Sequence, residues 1–304
     1  FFRPFGLHEL IATLDESNRV TGWTHRLASA SKYYRRADVK PGELWTSELY
    51  PDDFPAQLVP DYRLEWHAVT SGIPRGSWRA PAHTANAFVV ESFLDEIAHS
   101  TGQDPLALRL AMLGADREFE YADHGGPIFS TGRLRAVLER AATAIGWGRT
   151  VPRGRGIGLA AHFTFGGYAA HAMEVEILPG GGLVFHRVIC AIDCGRPINP
   201  LGIMAQMQGG TIDGLSTALN LEITVRDGQV EQRNFGGYPL ATIAQMPRDI
   251  EVLIVDSQAD PSGAGEMGIP TAAPALMNAV FAACGVRIRN LPVRGQIAEA
   301  IAKA

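Results

Sequence analysis

A single carboxylate set among small residues is the feature of this sequence best suited to chemistry: Glu266, in the run Gly263-Ala264-Gly265-Glu266-Met267-Gly268-Ile269-Pro270. The glycines remove side-chain bulk, so the backbone can turn sharply and a large ligand can approach it. A carboxylate held in such a loop is a candidate general base, which must lie within hydrogen-bond reach of the group it deprotonates. Pro270 suits the first turn of a helix, where a missing N–H costs nothing. Ala272, Ala273, Ala275, Leu276, Ala279, Val280 and Ala283 continue an apolar helical pattern. Glu266 is therefore expected just before a helix N-terminus, where the positive end of the dipole favours a carboxylate. The same octapeptide also reads as a capping loop whose glutamate pairs with an arginine.

Other polar residues carry weaker signals. Arg79 lies in the loop at residues 72–81 and can stabilise negative charge on a ligand or pair with Glu91 or Asp95 on the following helix. Gln206 and Gln208 sit in a helical stretch with Gly209, Gly210 and Gly214; glycines inside a helix cost about 1 kcal/mol each relative to Ala, so another backbone is expected to come close there. His162 and His171 flank Phe163-Thr164-Phe165-Gly166-Gly167-Tyr168, a candidate funnel lining, but a lone histidine more often satisfies a structural hydrogen bond. Asp193 suits a turn cap or the orientation of ligand-contacting backbone. Cys190 and Cys194, spaced i, i+4 in a strand pattern, have no second Cys or His pair at ligand spacing and read as buried apolar thiols. Trp66, Trp78 and Trp147 read as core.

The elements that must position these groups follow from periodicity. Two alternating segments, 6–13 and 18–30, flank a polar turn and predict a hairpin; 62–69 alternates as a half-buried strand. Helices are expected over about 84–99, from Asp104-Pro105 to about 113, and over about 131–145. Three strand-like stretches at 156–161, 171–178 and 183–192 predict an antiparallel meander. Asn199-Pro200 opens a helix to about 219, a short hairpin crosses Asp227-Gly228, and a strand covers 250–255. Strands and helices mix without regular βαβ alternation, so the expected fold class is α+β, with 1–150 and 151–304 as two tightly packed parts.

At 304 residues and 46% hydrophobic content the chain has ample core material. With 27 basic and 32 acidic residues, a net charge of −5 and no Lys/Arg-rich run, nucleic acid is not an expected partner. No apolar run reaches the ~18 residues of a membrane span. Three cysteines are too few for a disulfide framework and are compatible with a reducing compartment. The opening Phe1-Phe2-Arg3-Pro4-Phe5, with no Met and no signal pattern, is expected to be part of something longer.

Three blocks together resemble the molybdenum-binding subunit of the xanthine oxidase and aldehyde oxidoreductase family. They are Trp78-Arg79-Ala80-Pro81 running into Asn86-Ala87-Phe88-Val89-Val90-Glu91; Asp193-Cys194-Gly195 through Asn199-Pro200 to Gln206-Met207-Gln208-Gly209-Gly210; and Gly265-Glu266 with its helix, ending in Arg287-Ile288-Arg289-Asn290-Leu291-Pro292. The details look most like the C-terminal part of the large (beta) subunit of isoquinoline 1-oxidoreductase and related aldehyde dehydrogenases. The resemblance implies a molybdenum–pterin cofactor in its molybdopterin cytosine dinucleotide form and a hydroxylase that oxidises an aldehyde or N-heteroaromatic substrate with water as the oxygen source. By the same resemblance Glu266 matches the general base beside the metal, Arg79 an arginine approaching metal and substrate, and Gln206, Gly263 and Gly265 cofactor-binding positions. Implied partners are the N-terminal part of the molybdenum subunit, on the same or another chain, a small subunit holding [2Fe-2S] clusters, and a cytochrome acceptor. The family's other cofactor loops are expected ahead of residue 1. Where many members carry an aromatic two residues past the arginine, this chain has Pro81. The alternative reading is a cofactor-binding or structural subunit inactive without its N-terminal counterpart; an unrelated hydrolase using Glu266 lacks a nucleophile set.

Overall fold

The computed structural model describes residues 2–121 and 128–303. Two strands, β1 (Gly6–Leu14) and β2 (Val20–Ser29), form the expected antiparallel hairpin, and β3 (Asp61–Ala68) adds to β2 in parallel. Between β2 and β3 lie two 3₁₀ turns, Pro41–Ser47 and Ala56–Leu58, in a segment whose polar, Pro-rich composition predicts no regular element. Their flanking Leu49, Tyr50 and Phe54 are buried, which organises the segment despite its composition.

Helices α1 (His83–Thr101), α2 (Pro105–Leu113) and α3 (Thr131–Ile145) follow, with the small pair β4 (Glu118–Phe119) and β5 (Phe129–Ser130) ahead of α3. Asp104 caps α2 by accepting from the Ala107 N–H, and Pro105 fills its first position, as the sequence indicates. Glu91 and Asp95 of α1 pair with Arg109 and Arg287, so neither is left to hold Arg79.

The expected meander is present as β6 (Arg155–Thr164), β7 (Gly167–Ile177) and β8 (Leu183–Asp193). After α4 (Pro200–Leu219) come the hairpin β9 (Val225–Arg226) and β10 (Gln229–Val230), then β11 (Glu251–Ile254), which joins β8 in parallel to give the sheet order β11-β8-β7-β6. The chain ends in α5 (Ala272–Cys284) and α6 (Gln296–Lys303). The mixed sheets, open and flanked by helices, make this an α+β fold.

The central sheet is buried on both faces, with period-two alternation deciding which side chains go where. Tyr168, Ala170 and Ala172 of β7 with Ile189 and Ala191 of β8 face a cluster containing Leu134, Val137, Leu138 and Ile145 of α3. Ala169, Met173 and Val175 with Val188, Cys190 and Ile192 face α4 and α5. Cys190 is thus core, and burial pushes its thiol up to about 12. Cys194 lies one residue past β8 and is likewise in the core, free of any disulfide.

Some expectations fail. Pro270 precedes the helix rather than starting it: α5 begins at Ala272, with Pro274 in its first turn, where N–H groups have no intrahelical acceptor. Glu266 lies ahead of the helix, as expected, but six residues before its first residue rather than directly before it. Trp66, Trp78 and Trp147 are only half-buried, each using its amphipathic ring at a surface: the Trp66 and Trp147 indoles donate to Ser29 Oγ and Asp104 Oδ2, and the Arg3 guanidinium stacks 3.9 Å above Trp78. Trp23 is the buried tryptophan.

Candidate functional site

The three sequence blocks, far apart in the chain, meet at one corner. Arg79 leaves the loop after β3 and makes four hydrogen bonds: Nε to the Gly265 carbonyl at 2.6 Å, Nη1 to Asp213 Oδ2 at 2.7 Å, and Nη2 to the Gln206 side-chain Oε1 at 2.7 Å and its carbonyl at 3.3 Å. The expected alternative, a pair with Glu91 or Asp95, is replaced by this set. Next in the chain, the Ala80 N–H donates to Glu266 Oε1 at 3.0 Å. The planar guanidinium fork makes this possible, since its donors point in fixed directions and lock several acceptors at once.

The turn that carries Arg79 is strained. Ala80 and Ala82 both adopt positive φ, 56° and 62°, a region costly for residues with a Cβ. It is held by Glu266, by the Tyr50 hydroxyl donating to the Pro81 carbonyl at 2.9 Å, and by Thr84 Oγ1 donating to the Ala80 carbonyl at 3.1 Å. Pro81, where an aromatic was the family expectation, lies between the two left-handed alanines.

Helix α4 sits against the Glu266 turn through its glycines. A Cβ on Gly210 would lie 3.1 Å from Gly268 Cα, and one on Gly214 would lie 2.8 Å from Ala272 Cβ. The close backbone expected from glycines inside a helix is therefore the 268–272 segment. Seven residues after Gln206, two turns along the same face, comes Asp213, the counter-ion of Arg79. Sequence reasoning missed Asp213, although the Gln206–Asp213 spacing was the signal.

Beside this corner a cleft of about 350 Å³ is lined by Cys194, Arg196, Asn199, Gln206, Gly263 and Gly265, among others. Gly263 and Gly265 are open: a Cβ on either would meet nothing within 4 Å. Because Arg79 occupies Gln206 Oε1, the amide nitrogen of this exposed, cleft-lining side chain is left as a donor.

His162 and His171 do not join this corner. His171 is fully buried between Thr271 Oγ1 (2.7 Å) and Thr211 Oγ1 (2.8 Å), and burial pulls its pKa down to about 3. It is the hydrogen-bonded structural histidine the sequence favours, tying α4 to the start of α5. His162 is buried against His83. Asp193 receives Arg133 through both oxygens and the Gly195 N–H at 2.9 Å, a turn-closing role.

Residues 138–247 match the molybdopterin cofactor-binding domain family. The chain is 30% identical over 261 residues to one of the subunits of nicotinate dehydrogenase from Pseudomonas putida, an alignment covering 78% of this chain and 21% of that protein. It is 28% identical over 307 residues to the isoquinoline 1-oxidoreductase beta subunit of Brevundimonas diminuta, covering 95% of this chain and 36% of that one. The chain belongs to the molybdenum-binding subunits of the xanthine oxidase family. Quinoline 2-oxidoreductase from Pseudomonas putida 86 has the same fold, with a TM-score of 0.73 at 14% identity over 97% of this chain and 62% of that chain. This xanthine oxidase family chain spans only about a fifth to a third of the length of those two curated relatives. No helix among its described residues is long and apolar enough to cross a membrane.

Proposed function

We propose that this chain builds one wall of a molybdenum hydroxylase active site that oxidises an aldehyde or an N-heteroaromatic compound with water as the oxygen source. The observation that carries this reading is Arg79, whose guanidinium joins Gly265 and Gln206 while the next peptide N–H orients Glu266. Blocks 127 and 186 residues further along the chain converge with the Arg79–Ala80 turn on one polar corner.

A molybdenum–pterin cofactor fits the adjoining cleft on this chain's own chemistry. Its walls offer open glycine backbone at 263 and 265, an amide donor on Gln206, and no surplus carboxylate. In this reading Gln206 donates to the pterin, with Gly263 and Gly265 allowing it to approach; the cofactor, in its cytosine dinucleotide form, supplies the two-electron redox chemistry. Glu266 is the general base: Ala80 engages one carboxylate oxygen and fixes the rotamer, leaving the other to take the proton of the attacking water-derived oxygen. Arg79 makes its four hydrogen bonds to protein groups, so it positions Gln206 directly and Glu266 through the Gly265 carbonyl and the neighbouring Ala80 N–H. Pro81 leaves the substrate side without the usual aromatic platform.

Electrons leave by [2Fe-2S] clusters on a partner subunit and a downstream cytochrome; the rest of the metal site comes from the N-terminal part of the molybdenum subunit. The parts 1–150 and 151–304 act as one body within that assembly. Metal analysis of the purified assembly, paired with a panel of aldehydes and N-heteroaromatics, tests the reading. Stoichiometric molybdenum with hydroxylation of one class is expected. A molybdenum-replete assembly that hydroxylates neither class overturns it, and molybdenum without turnover in every substrate favours a purely structural subunit.

A further inference from the structure

Directly behind the Arg79 turn lies a second polar cluster that the cofactor chemistry does not use. His83 is the first residue of α1, His162 is near the end of β6, and Asp53 belongs to the turn ahead of the second 3₁₀ segment. All three are buried, at 1%, 6% and 7% exposure. His83 Nδ1 and His162 Nε2 are 2.9 Å apart, and Asp53 Oδ2 is 3.9 Å from the first and 4.0 Å from the second. Oδ1 of the same carboxylate accepts from the Tyr121 hydroxyl at 2.7 Å, whereas Oδ2 has no hydrogen-bond partner among the described residues.

A buried carboxylate oxygen without a donor is costly and calls for a compensating group. In the plane of the three ligand atoms, the point equidistant from them lies about 2.1 Å from each, the length of a zinc–nitrogen or zinc–oxygen bond. A neutral imidazole nitrogen is a common ligand of transition-metal ions.

We propose that Asp53, His83 and His162 bind one divalent transition-metal ion of the zinc type, at a site separate from the molybdenum cofactor. Two imidazoles and one carboxylate suit such ions over calcium or magnesium, which prefer all-oxygen shells. The ion joins the 51–56 turn, the start of α1 and β6. It thereby braces the Ala80–Ala82 backbone, to which Tyr50 is already hydrogen-bonded through Pro81.

The test uses the assembled enzyme, stripped with a chelator, reloaded with zinc chloride, desalted and analysed by mass spectrometry for zinc and molybdenum separately. About one zinc per chain is expected in the wild type, lost in His162→Gln and in Asp53→Asn, with molybdenum per chain unchanged in the wild type by stripping and reloading. Zinc absorption-edge spectroscopy on the wild type is expected to give only nitrogen and oxygen neighbours, two of them imidazoles; this arm needs no variant to fold. A wild type that retains no zinc overturns the proposal and leaves a neutral His–His hydrogen bond beside a protonated Asp53. Zinc retained equally by both variants, or a sulfur-containing shell, overturns it as well. Because the readout is zinc, it is independent of whether the molybdenum reading holds.

Discussion

The two faces of the central sheet are built from the same strands on opposite principles. Toward α3 the filling is large side chains: Leu134, Val137, Leu138, Ile145, Phe163 and Tyr168. Toward α5, β6 instead sets Gly156 and Gly158 directly against the helix backbone, while Met173, Val175, Val188, Ile192 and Leu276 fill the rest of that face. A Cβ on Gly158 would fall 2.1 Å from the Ala279 nitrogen and 2.4 Å from the Ala275 carbonyl oxygen. Large side chains can shift rotamers when a neighbour changes; backbone against backbone cannot. The β6–α5 contact on the face that leads to Glu266 is thus without slack, and the α3 face has some.

The sharpest way to break this contrast is Gly158→Ala. One methyl group driven into the α5 backbone is expected to prevent accumulation of the folded chain, read as loss of soluble protein and of a cooperative melt. Leu138→Ala on the opposite face opens a cavity instead, and about 2–5 kcal/mol of stability is expected to go while folding and molybdenum content persist. Equal tolerance of the two substitutions would remove the distinction between the faces.

Smaller effects sharpen it. Gln206→Ala removes the donor facing the cleft and frees Arg79 from one acceptor. Molybdenum per chain after gel filtration of the assembly is expected to drop, with little change in Tm, because a lost hydrogen bond to a buried ligand costs about 1–3 kcal/mol. Unchanged occupancy with a lower Tm would make this helix face structural. His171, buried and neutral with a pKa near 3, gives a pH signature. Below the unfolded value of 6.5 the unfolded chain takes up a proton that the folded chain refuses, so stability falls as pH drops from about 6.5 toward about 3. His171→Gln is expected to lower stability at pH 7 and to make the decline between pH 6 and pH 4 shallower by up to about 1.4 kcal/mol per pH unit. An unchanged slope would show that His171 is protonated in the folded protein.

How much of this was readable in the sequence depends on whether the cause is local. The β1–β2 hairpin, α1 to α3, the meander and α4 follow from periodicity, caps and turn residues, all within a few positions of one another. So does the approach of a backbone to Gly210 and Gly214, since glycine inside a helix needs a reason. The start of α5 is ambiguous in the sequence because Pro270 and Pro274 are each acceptable at a helix start, and packing against α4 selects between them. Arg79 was legible as a charged loop residue, but its partners were not: Gly265, Gln206 and Asp213 are at least 127 positions away, and nearer carboxylates on α1 were the simpler choice. The Asp53–His83–His162 cluster was invisible for the same reason, as its members share no spacing.

The central claim is that Glu266 is held by Arg79 and Ala80 to act as a base. Glu266→Gln tests it most directly, because the amide keeps the volume and an oxygen acceptor for the Ala80 N–H while losing the proton-accepting carboxylate. Turnover and molybdenum content should be measured on the same preparation of the assembled enzyme. The account predicts normal molybdenum and a normal melt, with turnover reduced on the order of a hundred- to ten-thousand-fold. Near-normal turnover in a molybdenum-loaded Glu266→Gln enzyme would contradict it.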